Sequence, residues 1–285
     1  MAFIECYSKL SILFFMEDTV LHQPSVLLDR VRSQNPVVHH LTNWVTIYDC
    51  ANVVKVFGAS PVMAHAPEEA ADMAAIASSL VLNIGTLTID LIASMQLAAR
   101  SANAKGIPII LDVCGAGATA LRDNSAFELL NTVRIDIIKG NASEVARIAG
   151  EEVRTKGVDA TEVKKDLIAL ARRLAQERTC TVVITGKEDI VADARATYLV
   201  KNGHILMAHV VGTGCMATSV VGTFAAVEKD LACAAACGLA CYEIAAEIAA
   251  RSSQGPGTFR EKLFDSIYAL TGETVDRMQR IEKLL

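Results

Sequence analysis

Four short segments carry residue types that could do chemistry, and each follows an apolar run. The first is Gly212-Thr213-Gly214-Cys215, followed by MATSVVGTFAAV. Glycines let the backbone come close to a ligand. A helix starting near Gly214 turns its unpaired N–H groups toward that ligand, which suits a phosphate or a developing anion. Cys215 then sits in the first turn, where the helix dipole favours the thiolate. A tight turn with a packing cysteine would read the same way. The second segment is Asp112 at the end of IILDV, before Gly115-Ala116-Gly117-Ala118-Thr119. A carboxylate there can hold Mg²⁺, usually through water, or can cap the next turn. The third is Lys139-Gly140-Asn141 with Glu144 three residues on. An Asn N-cap with an acid at N3 is a capping box; the same Glu could order metal-bound waters. Lys139 is the candidate phosphate contact, its alternative being a solvated surface lysine. The fourth is Thr185-Gly186 at the end of TVVITG, a place for hydroxyl and backbone contacts to a nucleotide.

The elements that must position these segments alternate. Helical patterns cover 24–34, 67–79, 88–104, 123–132, 142–149 and 161–177. Apolar strand patterns cover 81–85, 107–113, 135–140 and 181–186, with shorter ones at 190–193, 196–200 and 203–208. From about 214 the chain reads as helical, with a Gly-Pro-Gly break at 255–257. Uniformly apolar strands between helices predict an α/β fold: a mostly parallel central sheet with helices on both faces. Ligands of such sheets bind beyond the strands' carboxyl ends, where all four segments lie.

Composition narrows the function classes. The 285 residues are 52% hydrophobic, 21% charged and only 5% aromatic, which predicts an ordinary globular core of Ala, Val, Ile and Leu. Net charge is −5, so the chain lacks the bulk positive field of nonspecific nucleic-acid binding. Eight cysteines without a CxxC pair point to free thiols in a reducing, cytoplasmic setting. Cys233, Cys237 and Cys241 share one helix face and read as small packing residues, since one row converges poorly on a tetrahedral ion. Glu243 and Glu247 argue against segment 232–250 as a membrane span. Residues 1–15 read as an extension, with Met16 an alternative start, and 16–285 as one domain. No GxxxxGK[ST], HExxH or GxSxG occurs. His39, His40 and His65 read as structural or pocket-lining.

Seven blocks occur in order: NPVVHHLTNWVT (35–46), GASPVMAHAPEE (58–69), LVLNIGTL (80–87), LDVCGAGAT (111–119), IIKGNASEV (137–145), VITGKEDIVAD (184–193) and VGTGC (211–215). Together they closely resemble the hydroxyethylthiazole kinases of the ribokinase-like superfamily, over roughly residues 25–275. The resemblance implies a three-layer ribokinase-like fold and transfer of the ATP γ-phosphoryl, with Mg²⁺, to the hydroxyl of 4-methyl-5-(2-hydroxyethyl)thiazole in thiamine biosynthesis or salvage. It implies thiazole contacts by Asn43 and Met63, and by Gly212. It implies ATP contacts by Lys139 and Thr185, with Gly186, Thr213 and Gly214 beside them. Cys215 stands where most superfamily members carry an Asp base, and Asn141 and Glu144 match a motif that orders magnesium waters; Asp112 keeps its magnesium role. A homotrimer with sites between subunits is implied as well. The family usually reads DPVG where this chain reads Asp112-Val113-Cys114-Gly115. Competing readings are a ribokinase-like kinase for a pyrimidine alcohol or a sugar, a hydro-lyase on the same scaffold, and a nucleotide-binding module without catalysis.

Overall fold

The computed structural model describes residues 23–151 and 160–284; the expected extension over 1–15 lies outside them. Helix α1 (Pro24–Gln34) begins with proline at its first turn and ends at Asn35, left-handed with φ 46°. Proline's fixed φ and missing N–H suit a helix start, and Pro36 prevents continuation. Then come β1 (Val37–Leu41), α2 (Ile47–Phe57), β2 (Ser60–Val62), α3 (Pro67–Ile76), β3 (Ser79–Asn83), α4 (Ile89–Lys105), β4 (Ile109–Asp112), α5 (Ala120–Thr132), β5 (Ile137–Asn141) and α6 (Ala142–Ile148). The second half holds α7 (Ala160–Arg178), β6 (Thr181–Thr185), β7 (Asp189–Ala192), β8 (Thr197–Val200), a 3₁₀ turn (Ile205–His209), α8 (Thr213–Ala225), α9 (Leu231–Arg251), α10 (Pro256–Tyr268), α11 (Gly272–Met278) and β9 (Ile281–Lys283).

The strands form one sheet in the order β2-β1-β3-β4-β5-β6-β7-β8-β9. Pairs from β2 through β6 are parallel, and those from β6 to β9 antiparallel. Strand side chains alternate between faces, and the core divides accordingly. Val81, Ile110 and Val183 face a cluster built with α1, α2, α8, α9 and α10. Leu80, Leu82, Ile109, Leu111 and Val182 face a second one built with α3 to α7. This is the expected three-layer arrangement. Helix α8 lies very close to the sheet: a Cβ on Gly222 would meet Val81 Cγ2 at 2.4 Å.

Several sequence expectations are corrected. The helix expected over 67–79 ends at Ile76, because Ser79 already pairs in β3 and its hydroxyl donates to the Gly222 carbonyl at 2.8 Å. Segment 203–208 is no strand; a 3₁₀ turn occupies Ile205–His209, and β9 takes the free edge of β8 instead. Strands β1 and β2, helix α2 and strand β9 were not legible. Helix α9 is long and apolar enough to cross a membrane, with mean hydropathy 1.6, yet 83% of that stretch is buried inside the fold. Cys233, Cys237 and Cys241 are buried on it, and among the described residues no group of three or more His, Cys, Asp or Glu is placed to hold a metal ion.

Candidate active site

Because β1 and β3 to β6 run parallel, their carboxyl ends open on one edge. Register places Asn83 beside Asp112, Asp112 beside Lys139 and Asn141 beside Thr185. The start of α8 closes over this edge. Gly212 is its N-cap with φ +92°, and a Cβ there would sit 2.5 Å from Thr46 Cγ2. Both the left-handed backbone and the lack of space demand glycine.

Beneath that helix start lies a buried charge pair. Lys139 Nζ is 3.3 Å from Asp112 Oδ2 and donates to the Gly214 carbonyl at 2.9 Å. Asp112 Oδ2 also accepts from Asn83 Nδ2 at 2.9 Å and Thr218 Oγ1 at 2.6 Å. Lys139 is 4% exposed, so the surface-lysine alternative falls. Burial works against its charge, but Asp112, with Cys215 and Glu144 nearby, holds the ammonium above its ordinary pKa. Asp112 Oδ1 is buried with no donor opposite it.

Cys215 lies on the same edge. Its sulfur accepts from Asn43 Nδ2 at 3.2 Å, and that amide also reaches Asn83 Oδ1 at 3.0 Å. Asn43 Oδ1 is held by the Thr46 N–H at 3.1 Å and hydroxyl at 3.0 Å. The Cys215 thiol is pulled down to about 6 by a hydrogen bond from Cys114 first, against burial, with Thr46 and Lys139 assisting. The Cys114 thiol is pushed up correspondingly, chiefly by that hydrogen bond. The departure from DPVG therefore places a second thiol against the first. Its loop remains firmly held: Arg122 donates to the carbonyls of Ile84, Cys114 and Gly85 at 2.9, 3.0 and 2.6 Å.

The capping box is real. Glu144 N–H donates to Asn141 Oδ1 at 3.0 Å, and Asn141 N–H to Glu144 Oε2 at 2.8 Å. Glu144 Oε1 accepts the Gly115 N–H at 2.7 Å, tying the β4 loop to α6. Beyond α8, Thr185, Gly186, Thr213 and Gly214 line a cavity of about 890 Å³ that extends to Lys201, Ile205 and Met207. Met63 stands apart, half-buried just after β2. It is linked to the Asn43 loop through His65, whose Nδ1 lies 3.1 Å from the Met63 carbonyl and whose Nε2 lies 3.1 Å from Thr42 N. Sequence reasoning missed Asn83, Thr218, Cys114 and Arg122. Thr218, one turn after Gly214, carried a signal in its helical spacing; the others act through contacts distant in sequence.

The model of the hydroxyethylthiazole kinase family matches residues 28–273. The chain belongs to that family. A hydroxyethylthiazole kinase of Methanosarcina mazei is 52% identical over 257 residues, 90% of this chain and 98% of its own length. The solved hydroxyethylthiazole kinase structure from Pyrococcus horikoshii OT3 superposes with TM-score 0.85 at 37% identity, covering 92% of this chain and 99% of that one. An ADP/ATP-dependent NAD(P)H-hydrate dehydratase from Bacillus subtilis, at 14% identity and TM-score 0.52 over 82% of this chain and 90% of its own, shares the fold alone. Membership of a kinase family implies the use of ATP.

Proposed function

We propose that the protein phosphorylates the primary hydroxyl of 4-methyl-5-(2-hydroxyethyl)thiazole with the γ-phosphoryl of ATP. One observation carries the reading: the glycine-capped start of α8, which carries Cys215 and binds the buried Lys139–Asp112 pair through the Gly214 carbonyl, presents Thr213 and Gly214 to a cavity large enough for a nucleotide. ATP lies along that cavity, with Thr185 and Gly186 at its wall. Its terminal phosphate points to the N–H groups of 212–215, which the helix start leaves free to hold phosphoryl oxygens. Lys139 offsets the charge from below.

The donor set fits magnesium. Asp112 Oδ1 is an acceptor without a donor, and Glu144 has lone pairs beyond the amides it accepts. These two carboxylates would hold the ion through water. When bound, magnesium neutralises charge on the triphosphate.

The thiazole alcohol sits beside Asn43 and Gly212, with Met63 as an apolar wall. Its hydroxyl hydrogen-bonds the Cys215 sulfur. Phosphoryl transfer is mostly positioning and charge stabilisation, so the hydroxyl needs little prior deprotonation. As its oxygen bonds to the γ-phosphorus, the bond from that phosphorus to the bridging oxygen breaks, ADP leaves, and the hydroxyl proton passes to the Cys215 thiolate. Trp44, Tyr48 and Val211 are 56%, 72% and 75% exposed around the Thr46–Gly212 contact. An apolar rim of this kind supports a homotrimer whose sites lie between subunits, and Met63 then reaches a neighbour's pocket. The setting proposed is the cytoplasm. Coupled ADP release, with the thiazole alcohol and with pyrimidine and sugar alcohols as controls, tests the reading. Release that depends on the thiazole alone is expected; release with a sugar alone would overturn it.

A further inference from the structure

Helix α9 carries a buried carboxyl, Glu243, that phosphoryl transfer does not use. Glu243 is 6% exposed and lines the nucleotide cavity beside Asp189, which is 3% exposed. Asp189 opens β7, and its Oδ1 accepts the Gly186 N–H at 2.9 Å, fixing the turn that follows Thr185. Both carboxyls are buried on the wall of one cavity, and each acts on the other through a side-chain hydrogen bond. Glu243 Oε2 is buried with no donor facing it. Two carboxylates cannot hydrogen-bond each other; the contact needs one of them to hold a proton. The two cations that act on the pair are engaged elsewhere. Lys139, which draws the Asp189 carboxyl down, binds Asp112 and the Gly214 carbonyl. Arg280, which draws the Glu243 carboxyl down, binds Glu247 and the Lys201 carbonyl. Glu247 and Tyr242 act on Glu243 from its own helix, and Lys187, Glu188, Lys201 and His204 line the same cavity, Lys201 being paired with Glu282.

We propose that Glu243 is a positioning residue for the nucleotide: protonated, it donates to Asp189 and clamps the 186–189 turn against α9. The inference rests on the cavity being the ATP site. Burial, the main cause in both, pushes Asp189 up to about 6 and Glu243 well above the ordinary carboxyl range. The pair therefore keeps one proton at neutral pH. As pH rises that proton leaves, two adjacent carboxylates repel, and the clamp opens.

Amide hydrogen exchange at Gly186 and the KM for ATP, measured from neutral to alkaline pH, test this. The wild type should protect Gly186 at neutral pH, then lose protection, corrected for intrinsic base catalysis, as KM for ATP climbs. Glu243→Gln keeps a donor that does not titrate, so both readouts should stay flat. Glu243→Ala should exchange Gly186 about tenfold faster at every pH and raise the ATP KM, leaving the thiazole KM unchanged. A Gln variant that repeats the wild-type alkaline loss, or an Ala variant with Gly186 still protected, overturns the proposal. If the nucleotide assignment itself were wrong, even the wild type would release no ADP, whereas the exchange of Gly186 would still judge the clamp.

Discussion

Two buried pairs flank the start of α8 and behave oppositely. At the strand tips Lys139 and Asp112 are unlike charges in contact, Lys139 also bonded to the Gly214 carbonyl and Asp112 Oδ2 to the Thr218 hydroxyl. At the cavity wall Asp189 and Glu243 are like groups that act on each other. Burial penalises the charged form in both places. Lys139 keeps its charge because Asp112 stabilises it, which suits a site that must meet a triphosphate. The like pair escapes the penalty by keeping a proton, which suits a wall that only has to hold shape. The same low polarity thus yields a reactive pair beneath the start of α8 and a structural pair on the cavity wall.

The largest expected effect comes from breaking the unlike pair. Lys139→Met leaves Asp112 as an uncompensated buried charge, which should cost about 3–5 kcal/mol of stability by denaturant titration. Turnover should fall by about 10²-fold or more with the loss of a preorganised charge. Next, Cys215→Ala should lower kcat by about 10²-fold, as expected for a proton acceptor, while Cys215→Asp retains or raises it. An Asp variant as slow as the Ala variant would leave the sulfur with no proton-accepting role. A smaller effect is expected from Cys114→Val, which removes the foremost cause of the lowered Cys215 thiol. The acid limb of kcat should move to higher pH with little change in the plateau; an unmoved limb would separate the two thiols functionally. The smallest effect is expected at Met63→Ala, which should raise the thiazole KM more than the ATP KM. Equal changes would assign Met63 to packing.

Much of this was readable from the chain. The strands β3 to β6 announced themselves as apolar runs, and their polar ends supplied Asp112, Lys139 and Thr185. The Asn141–Glu144 pair was legible as a capping box and is one. Strand β1 was hidden because VVHHL places two histidines in a buried strand. The fold tolerates them because backbone carbonyls serve their rings: His39 Nε2 lies 2.8 Å from the Ala64 carbonyl and His40 Nδ1 3.0 Å from that of Val38. Burial pushes both below the ordinary histidine range, His40 to about 3, so they remain neutral. Segment 203–208 misled in the opposite sense. Its apolar letters suit a strand, but the edge of β8 is claimed by a segment near the chain's end. Cys114 was visible only as a departure from DPVG, and its contact with Cys215 needed the loop to fold over α8. Glu243 read as a charge against membrane insertion; its partner lies on another element, beyond local spacing.

The pH dependence of kcat/KM for the thiazole alcohol, compared between the wild type and Cys215→Asp, tests the central claim most directly. A thiolate acceptor loses activity as pH falls through its own ionisation. The wild type should therefore hold its rate above about 6 and decline below it, and the Asp variant should carry its decline down toward the carboxylate range. Two superimposable profiles would contradict the account, because the group that titrates would then not be the one at position 215.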